Sequence, residues 1–197
     1  MERQGQFRSK LWQTVALAIL IVVICLISSY KAKRETVFVN GNDRGLRQQQ
    51  GIMYYRGQPL TGSVYSRYPG GSKAKETSYV EGKENGRMES WYPNGQTEAV
   101  RVFNDGKKEG IHCGWWPNGK PKFAYQFKDD EYNGAVTEWY ISGQLSKQFH
   151  YASGHEDGLE QMWWEDGSIR ANYVMKDGQP YGLMGRKLCV NSDRNAR

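Results

Sequence analysis

The chain has 197 residues, which is enough for one ordinary domain, and a formal net charge of +6. The charge is uneven, because residues 1–34 hold six Lys/Arg against one Glu, whereas the remaining residues hold 21 against 20. A domain that binds nucleic acid concentrates positive charge on its folded part. The near-neutral body therefore argues against nucleic acid as a partner.

The N-terminal region holds a basic tail, residues 1–10, and then twenty residues without charge from Leu11 to Tyr30. A helix of this length, at ~1.5 Å per residue, spans about 30 Å, the thickness of a bilayer's hydrocarbon core. Trp12 and Tyr30 stand at its two ends, where aromatic rings prefer the membrane interface. The segment predicts a retained transmembrane signal anchor. The alternative is a cleaved signal peptide, whose apolar core is usually shorter and ends at a small-x-small site.

The flanks of this segment give two readings of its orientation. Basic residues after the segment outnumber those before it, which favours a cytoplasmic body. A short basic tail before a single apolar segment is instead the usual layout of a signal anchor with the body outside. We expect a single-pass membrane protein with its body outside the cytoplasm, joined by a linker at residues 31–51.

Beyond the linker, a glycine recurs every 24 residues and divides the chain into equal units. The repeat domain is predicted at residues 52–190, with a C-terminal tail at 191–197. Its units are 62–85, 86–109, 110–133, 134–157, 158–181 and the partial unit 182–190. If this glycine is position 1, a second glycine stands at position 10 and an aromatic residue at position 7 of every whole unit. Such regular copying predicts a repeat architecture.

Each unit reads as two short strands joined by a turn. Positions 2–8 are rich in aromatic residues and end in Asn-Gly or Asp-Gly, pairs that tolerate positive φ at both positions of a tight hairpin turn. The predicted fold class is therefore all-β, an elongated antiparallel meander of hairpin repeats preceded by one transmembrane helix. If the turn is at positions 9 and 10, position 7 faces 12, 5 faces 14 and 3 faces 16, unless a bulge shifts part of this register.

Four tryptophans at position 6 form the candidate partner-binding site. In this register the main apolar face carries positions 7, 12, 14, 16 and 18. The tryptophans lie on the opposite face, one per hairpin and ~10 Å apart. An exposed row of this kind usually marks a binding surface. The alternative is that twisting of the sheet or a terminal segment buries it. The four residues are Trp91, Trp115, Trp139 and Trp163.

The residues give no sign of catalytic chemistry. His112, His150 and His155 occupy three different repeat positions, and the acidic turns lack the ligand spacing of a calcium loop. We predict no catalytic residue, no metal site and no cofactor. Cys113 and Cys189 are three units apart, roughly 30 Å in an open meander, which is too far for a disulfide. Both thiols are expected to be free.

The unit "SWYPNGQTEAVRVFNDGKKEG" resembles the MORN-repeat variant of bacteria, in the version found in YwqK-type antitoxins. The resemblance runs from about Met53 to Leu188. It departs at Pro69-Gly70-Gly71, at Ile141-Ser142-Gly143 and at Asp129-Asp130, where the pattern has Pro-Asn-Gly or Asp-Gly. The family implies an elongated sheet used for binding, often as the antitoxin or immunity partner of a secreted toxin.

Together with this resemblance, the observations predict an immunity protein that is anchored in the bacterial inner membrane, has its repeat domain in the periplasm and binds a cognate toxin through its repeat surface. An anchor would concentrate the inhibitor where a membrane- or wall-directed toxin, such as a phospholipase, acts. The alternative is an envelope scaffold that binds lipid or another protein without inhibiting it. An enzyme ranks third. Open terminal strands would also permit a homodimer by edge pairing.

Overall fold

The computed structural model describes residues 36–184, and all regular structure within this range is β-strand. The range contains no helix, and none of its segments is a candidate for crossing a membrane as a helix. The predicted fold class is therefore wrong in its helical part, since the described residues form strands alone. The predicted span with Leu11, Trp12 and Tyr30 lies outside the described residues.

Seventeen strands are found between residues 36 and 184, and they follow the repeat. They are β1 (Val37–Asn40), β2 (Leu46–Gln49), β3 (Ile52–Tyr55), β4 (Gln58–Pro59), β5 (Gly62–Arg67), β6 (Lys73–Val80), β7 (Lys83–Trp91), β8 (Thr97–Asn104), β9 (Lys107–Lys108), β10 (Gly110–Trp115), β11 (Pro121–Lys128), β12 (Glu131–Trp139), β13 (Leu145–Ala152), β14 (His155–Glu156), β15 (Gly158–Trp163), β16 (Ile169–Lys176) and β17 (Gln179–Leu183). Each whole unit thus supplies one strand on either side of its aromatic-Pro-Asn-Gly or equivalent turn, as predicted.

The main sheet is a meander in which successive strands pair antiparallel from β5 to β17. The short strand β9 pairs only with β8, and β14 pairs only with β13. Each is the first part of a longer strand that is interrupted just before the glycine at position 1, where β10 or β15 begins. A three-stranded sheet, β2-β3-β4, forms separately. The repeat therefore builds one continuous sheet, as the periodicity predicts.

The first strand departs from the antiparallel pattern. β1 pairs in parallel with β5, bringing Val37 opposite Gly62. Both β1 and β2 fall within residues 31–51, the segment predicted to be a linker. A side chain at Gly62 would stand 2.0 Å from the carbonyl oxygen of Val37, so this glycine allows β1 to approach. The array thus begins with a capping strand that no repeat column encodes.

The turn inside each unit is not the two-residue type predicted. In unit 2, the amide of Gly95 donates to the Tyr92 carbonyl and the amide of Tyr92 donates to the Gln96 carbonyl. Only Gly95 has a positive φ, of 86°. This is a three-residue loop built on a β-turn that ends in a left-handed glycine. Only position 10 needs glycine, so Ile141-Ser142-Gly143 makes the same turn as Pro-Asn-Gly.

Two-residue turns with positive φ at both positions join one unit to the next instead. Asp105 and Gly106 have φ values of 51° and 85°, and Asp129 and Asp130 have 51° and 73°. Aspartate is one of the few residues other than glycine that adopt this conformation. The Asp130 carboxylate also accepts a hydrogen bond from the Lys108 amide at 2.8 Å. The missing glycine of unit 3 therefore leaves its turn type unchanged.

Register follows from these turns. Position 3 faces 16 and position 5 faces 14, as predicted: Met88 pairs with Arg101 and Ser90 with Ala99. The pairing of position 7 with 12 is wrong, because a register shift after Ser90 places Trp91 opposite Thr97. The longer loop inserts the extra residue that causes this bulge.

The buried face of the sheet carries positions 3, 5, 14, 16 and 18, where most of the buried side chains are found. Ring contacts join neighbouring units along it, for example Phe103 with His112 at 5.6 Å and Tyr132 with Tyr151 at 5.1 Å between centroids. Such packed aromatic pairs stabilise a sheet beyond their area burial. Position 12 is predicted to share the apolar face, but Ile169 at this position is 53% exposed.

Candidate binding surfaces

The four tryptophans at position 6 are all half-buried at the end of the first strand of their units. Each stands at the register shift that precedes the turn. The Lys73 ammonium lies 4.7 Å from the centre of the Trp91 ring, as in a cation–π contact. The indoles are therefore neither sealed in a core nor freely extended. Whether they bind a partner stays a prediction.

A ladder of hydrogen bonds fixes the backbone beneath these tryptophans. In each case the aromatic side chain at position 7 donates to the carbonyl of the residue at position 6 in the next unit, 23 residues ahead. The four bonds are Tyr68 to Trp91 (2.8 Å), Tyr92 to Trp115 (2.9 Å), Trp116 to Trp139 (3.1 Å) and Tyr140 to Trp163 (3.0 Å). We name this series the inter-unit ladder. It explains why position 7 accepts tyrosine or tryptophan, since both carry a ring and a donor.

Replacing Tyr92 with phenylalanine removes one rung of the inter-unit ladder. We expect the free energy of unfolding to fall by about 0.5–1.5 kcal/mol, because the part-buried Trp115 carbonyl loses its donor while the ring is retained. Urea denaturation followed by tryptophan fluorescence measures the change. Tyr181→Phe is the matched control, since Tyr181 is 62% exposed, and it should leave stability unchanged. Equal effects of the two substitutions would contradict the ladder's role.

One column of the buried face mixes apolar and polar residues. Position 3 is Val64, Met88, His112, Val136 and Glu160. His112 is 2% exposed and its Nε2 lies 2.8 Å from the Val102 carbonyl oxygen. Glu160 is fully buried, and both its oxygens accept the backbone amide of His150 at 3.3 Å.

The two polar residues of this column satisfy the backbone at the same place in the repeat. Val102 and His150 both occupy position 17, where the pairing of their strand with the next unit is interrupted. The strand leading to position 3 is interrupted in the two units with His112 or Glu160 and continuous in those with Met88 or Val136. The Glu160 carboxylate takes the place of a missing ladder bond at the His150 amide, whereas His112 contacts a Val102 carbonyl that also accepts the Glu109 amide. Sequence reasoning missed Glu160, although a charged residue in a mostly apolar column was the available signal.

Burial changes the ionisation of both residues. Desolvation raises the pKa of Glu160 to about 7, an effect that the nearby Glu156 reinforces and the His150 amide opposes. Desolvation lowers the pKa of His112. The hydroxyls of Tyr151 and Tyr173 donate to Glu156 at 3.2 and 3.3 Å. This cluster holds units 4 and 5 together through hydrogen bonds from neutral phenols.

The remaining chemistry is sparse. Between residues 36 and 184, no three His, Cys, Asp or Glu side chains converge to form a metal site. Cys113 is a free, half-buried thiol whose pKa is raised by burial. Cys189, the other thiol that is predicted to be free, lies outside the described residues. His150, in β13, contacts the Asp157 carbonyl oxygen through Nδ1 at 3.1 Å.

The fold and its 24-residue period define a β-hairpin repeat protein. The family model described as MORN repeat variant matches residues 84–105 and 108–129, which begin two residues before units 2 and 3 and cover most of each. The chain therefore carries MORN-type repeats, as the resemblance predicted. No curated protein matches the chain.

Proposed function

We propose that this protein is a non-catalytic binding protein that acts as an antitoxin or immunity protein, neutralising a cognate toxin by covering its functional surface. The observation that carries the proposal is the set of four half-buried tryptophans, one in each of units 2 to 5, on a backbone that the inter-unit ladder fixes. Tryptophan is enriched among residues that dominate binding energy. A surface that is ordered before binding loses little conformational entropy on association.

The antitoxin role draws on the family resemblance together with this surface. A protein with a large contact surface can inhibit a toxin by blocking access to its active site. The continuous sheet offers such a contact surface. The near balance of charge outside residues 1–34 fits a partner that is recognised by shape and apolar contact.

Co-expression tests the proposal. A candidate toxin encoded in an adjacent reading frame is expressed with the full-length chain, and growth is measured. We expect the chain to restore growth. We expect Trp115→Ala with Trp139→Ala to weaken the complex at least about 30-fold, which is about 2 kcal/mol and typical of residues at the centre of an interface.

Val80→Ala with Ile141→Ala is the matched control, because these side chains are 46% and 52% exposed and neither shares a strand with a position 6 tryptophan. Circular dichroism establishes that both double variants remain folded. Binding without restored growth would favour the scaffold alternative over an antitoxin. Unchanged binding by the folded tryptophan variant would show that these residues are not the contact surface.

A further inference from the structure

A row of small residues opens a hollow on the buried face between the first three units. Ser90 pairs with Lys75 on one side and with Ala99 on the other, and Ala99 pairs in turn with Gly114. Ser90, Ala99 and Gly114 are buried and have little side-chain volume. The Phe123 ring, on the next strand, lies over Gly114. The result is a pocket of about 250 Å³, with Met88 also in its wall.

The charges around this hollow, which we name the basic pocket, are unbalanced. Lys75, Arg101 and Lys122 line it together with a single acid, Glu98. None of these four forms an ion pair with another residue in the described range 36–184. Arg101 and Lys122 instead lie over the rings of Phe123 and Trp116, at 5.9 and 4.5 Å. The pocket thus presents three cations whose charge is left for a ligand.

Lysines beside the turns that join one unit to the next do form ion pairs. Lys83 contacts Asp105 at 2.8 Å, and Lys107 contacts Asp129 at 3.0 Å. These pairs repeat from unit to unit, so the sequence does supply acids where it balances cations. The unpaired set around the basic pocket is therefore a local departure from the pattern, and none of the position 6 tryptophans lines it.

We infer that the basic pocket is a second binding site, which takes a carboxylate side chain from an acidic segment of a partner protein. Arg101 would engage the carboxylate through its planar guanidinium, with Lys75 and Lys122 adding charge from either side. The methylene groups of the bound side chain would contact Phe123 and Met88. The inference stands on its own observations and does not require the partner to be a toxin.

Two features favour an acidic protein segment over other anions. The pocket is smaller than the ~300–1,000 Å³ of sites for drug-sized ligands, so it suits one side chain better than a nucleotide. Glu98 in the wall repels a ligand with dense negative charge, such as a phosphate chain. The near-neutral charge of residues 35–197 gives no broader field to hold nucleic acid.

Fluorescence anisotropy with a labelled hexaglutamate peptide tests the site in the full-length chain. We expect saturable binding that weakens about fivefold when salt rises from about 50 to about 200 mM. Arg101→Gln and Lys122→Gln should each weaken binding about fivefold. Glu98→Gln should tighten it about threefold, because it removes the one repulsive charge. A merely structural role of these residues would not reverse sign in this way.

Lys83→Gln and Lys107→Gln are the matched controls, since each removes one positive charge outside the pocket. Equal weakening by these controls would indicate general attraction and overturn the inference, as would absence of peptide binding. Competition by millimolar inorganic phosphate would reassign the pocket to small anions. Tighter binding of a thymidine oligonucleotide would reassign it to nucleic acid. The growth test of the tryptophan variants is read separately, so either proposal can fail without the other.

Discussion

Replacing Glu160 with glutamine is expected to stabilise the protein at and above neutral pH and to leave it nearly unchanged in mild acid. The carboxyl is fully buried with a pKa of about 7, well above its ordinary value of 4.5. Between these two values the folded state holds a proton that the unfolded state has released, so stability falls as pH rises through this window. Ionisation of Glu160 should therefore cost about 2–3 kcal/mol between about pH 5 and about pH 8.

Urea denaturation of both proteins across this pH range measures the effect. The glutamine amide oxygen can still accept the His150 amide, so the substitution removes the charge and keeps the hydrogen bond. Burial of His112 acts in the opposite direction, because its lowered pKa makes stability rise with pH. The difference between variant and parent is therefore the informative quantity. Glu165→Gln, at an exposed turn, should show no such difference, and a flat difference for Glu160→Gln would disprove the argument.

Replacing Gly114 with alanine is the second change with a large expected effect. The added methyl group would stand 2.2 Å from the nearest atom of the Phe123 ring, which is far inside van der Waals contact. The ring cannot move freely, because it stacks on Tyr125 at 4.6 Å and lies beneath Arg101. We expect a loss of about 2–3 kcal/mol in the free energy of unfolding, as for overpacked interiors.

Thermal and urea unfolding of Gly114→Ala check this expectation. Gly70→Ala is the matched control: it lies in a turn, no atom stands within 4 Å of the added methyl, and φ at this position is not in the left-handed range. It should be neutral or slightly stabilising. Adding Phe123→Leu to Gly114→Ala should recover part of the loss, since the shorter side chain vacates the space. A stable Gly114→Ala protein would mean that the ring is not held as described.

Much of the fold could be predicted from the repeat, because its constant length leaves few ways to place the turns. The pairing of Ser90 with Ala99 follows from counting back from Gly95. Sequence reasoning failed where two turn types share a signature. Asn-Gly and Asp-Gly both suit a two-residue turn, and only the hydrogen bonds of Tyr92 distinguish the longer loop. The resulting bulge shifts the tryptophan column by one pairing position.

The candidate sites were less accessible to sequence reasoning than the fold. The tryptophan set is visible because it recurs. The basic pocket is not, because it arises from one row across different strands, in which Ser90, Ala99 and Gly114 happen to be small together. Glu160 was overlooked for a related reason, since its role is to satisfy an amide on a neighbouring strand. Pairing across strands, rather than spacing along the chain, determines both features.

The inter-unit ladder has a consequence for how such a chain can change its length. Each donor reaches the carbonyl 23 residues ahead, which belongs to the adjoining copy, so every copy carries its own donor and its own acceptor. A genetic duplication or loss of 24 residues would leave each remaining donor with an acceptor. Recombination within the coding region can therefore add or delete whole units, and with them surface area, without breaking the hydrogen bonds between the units that remain.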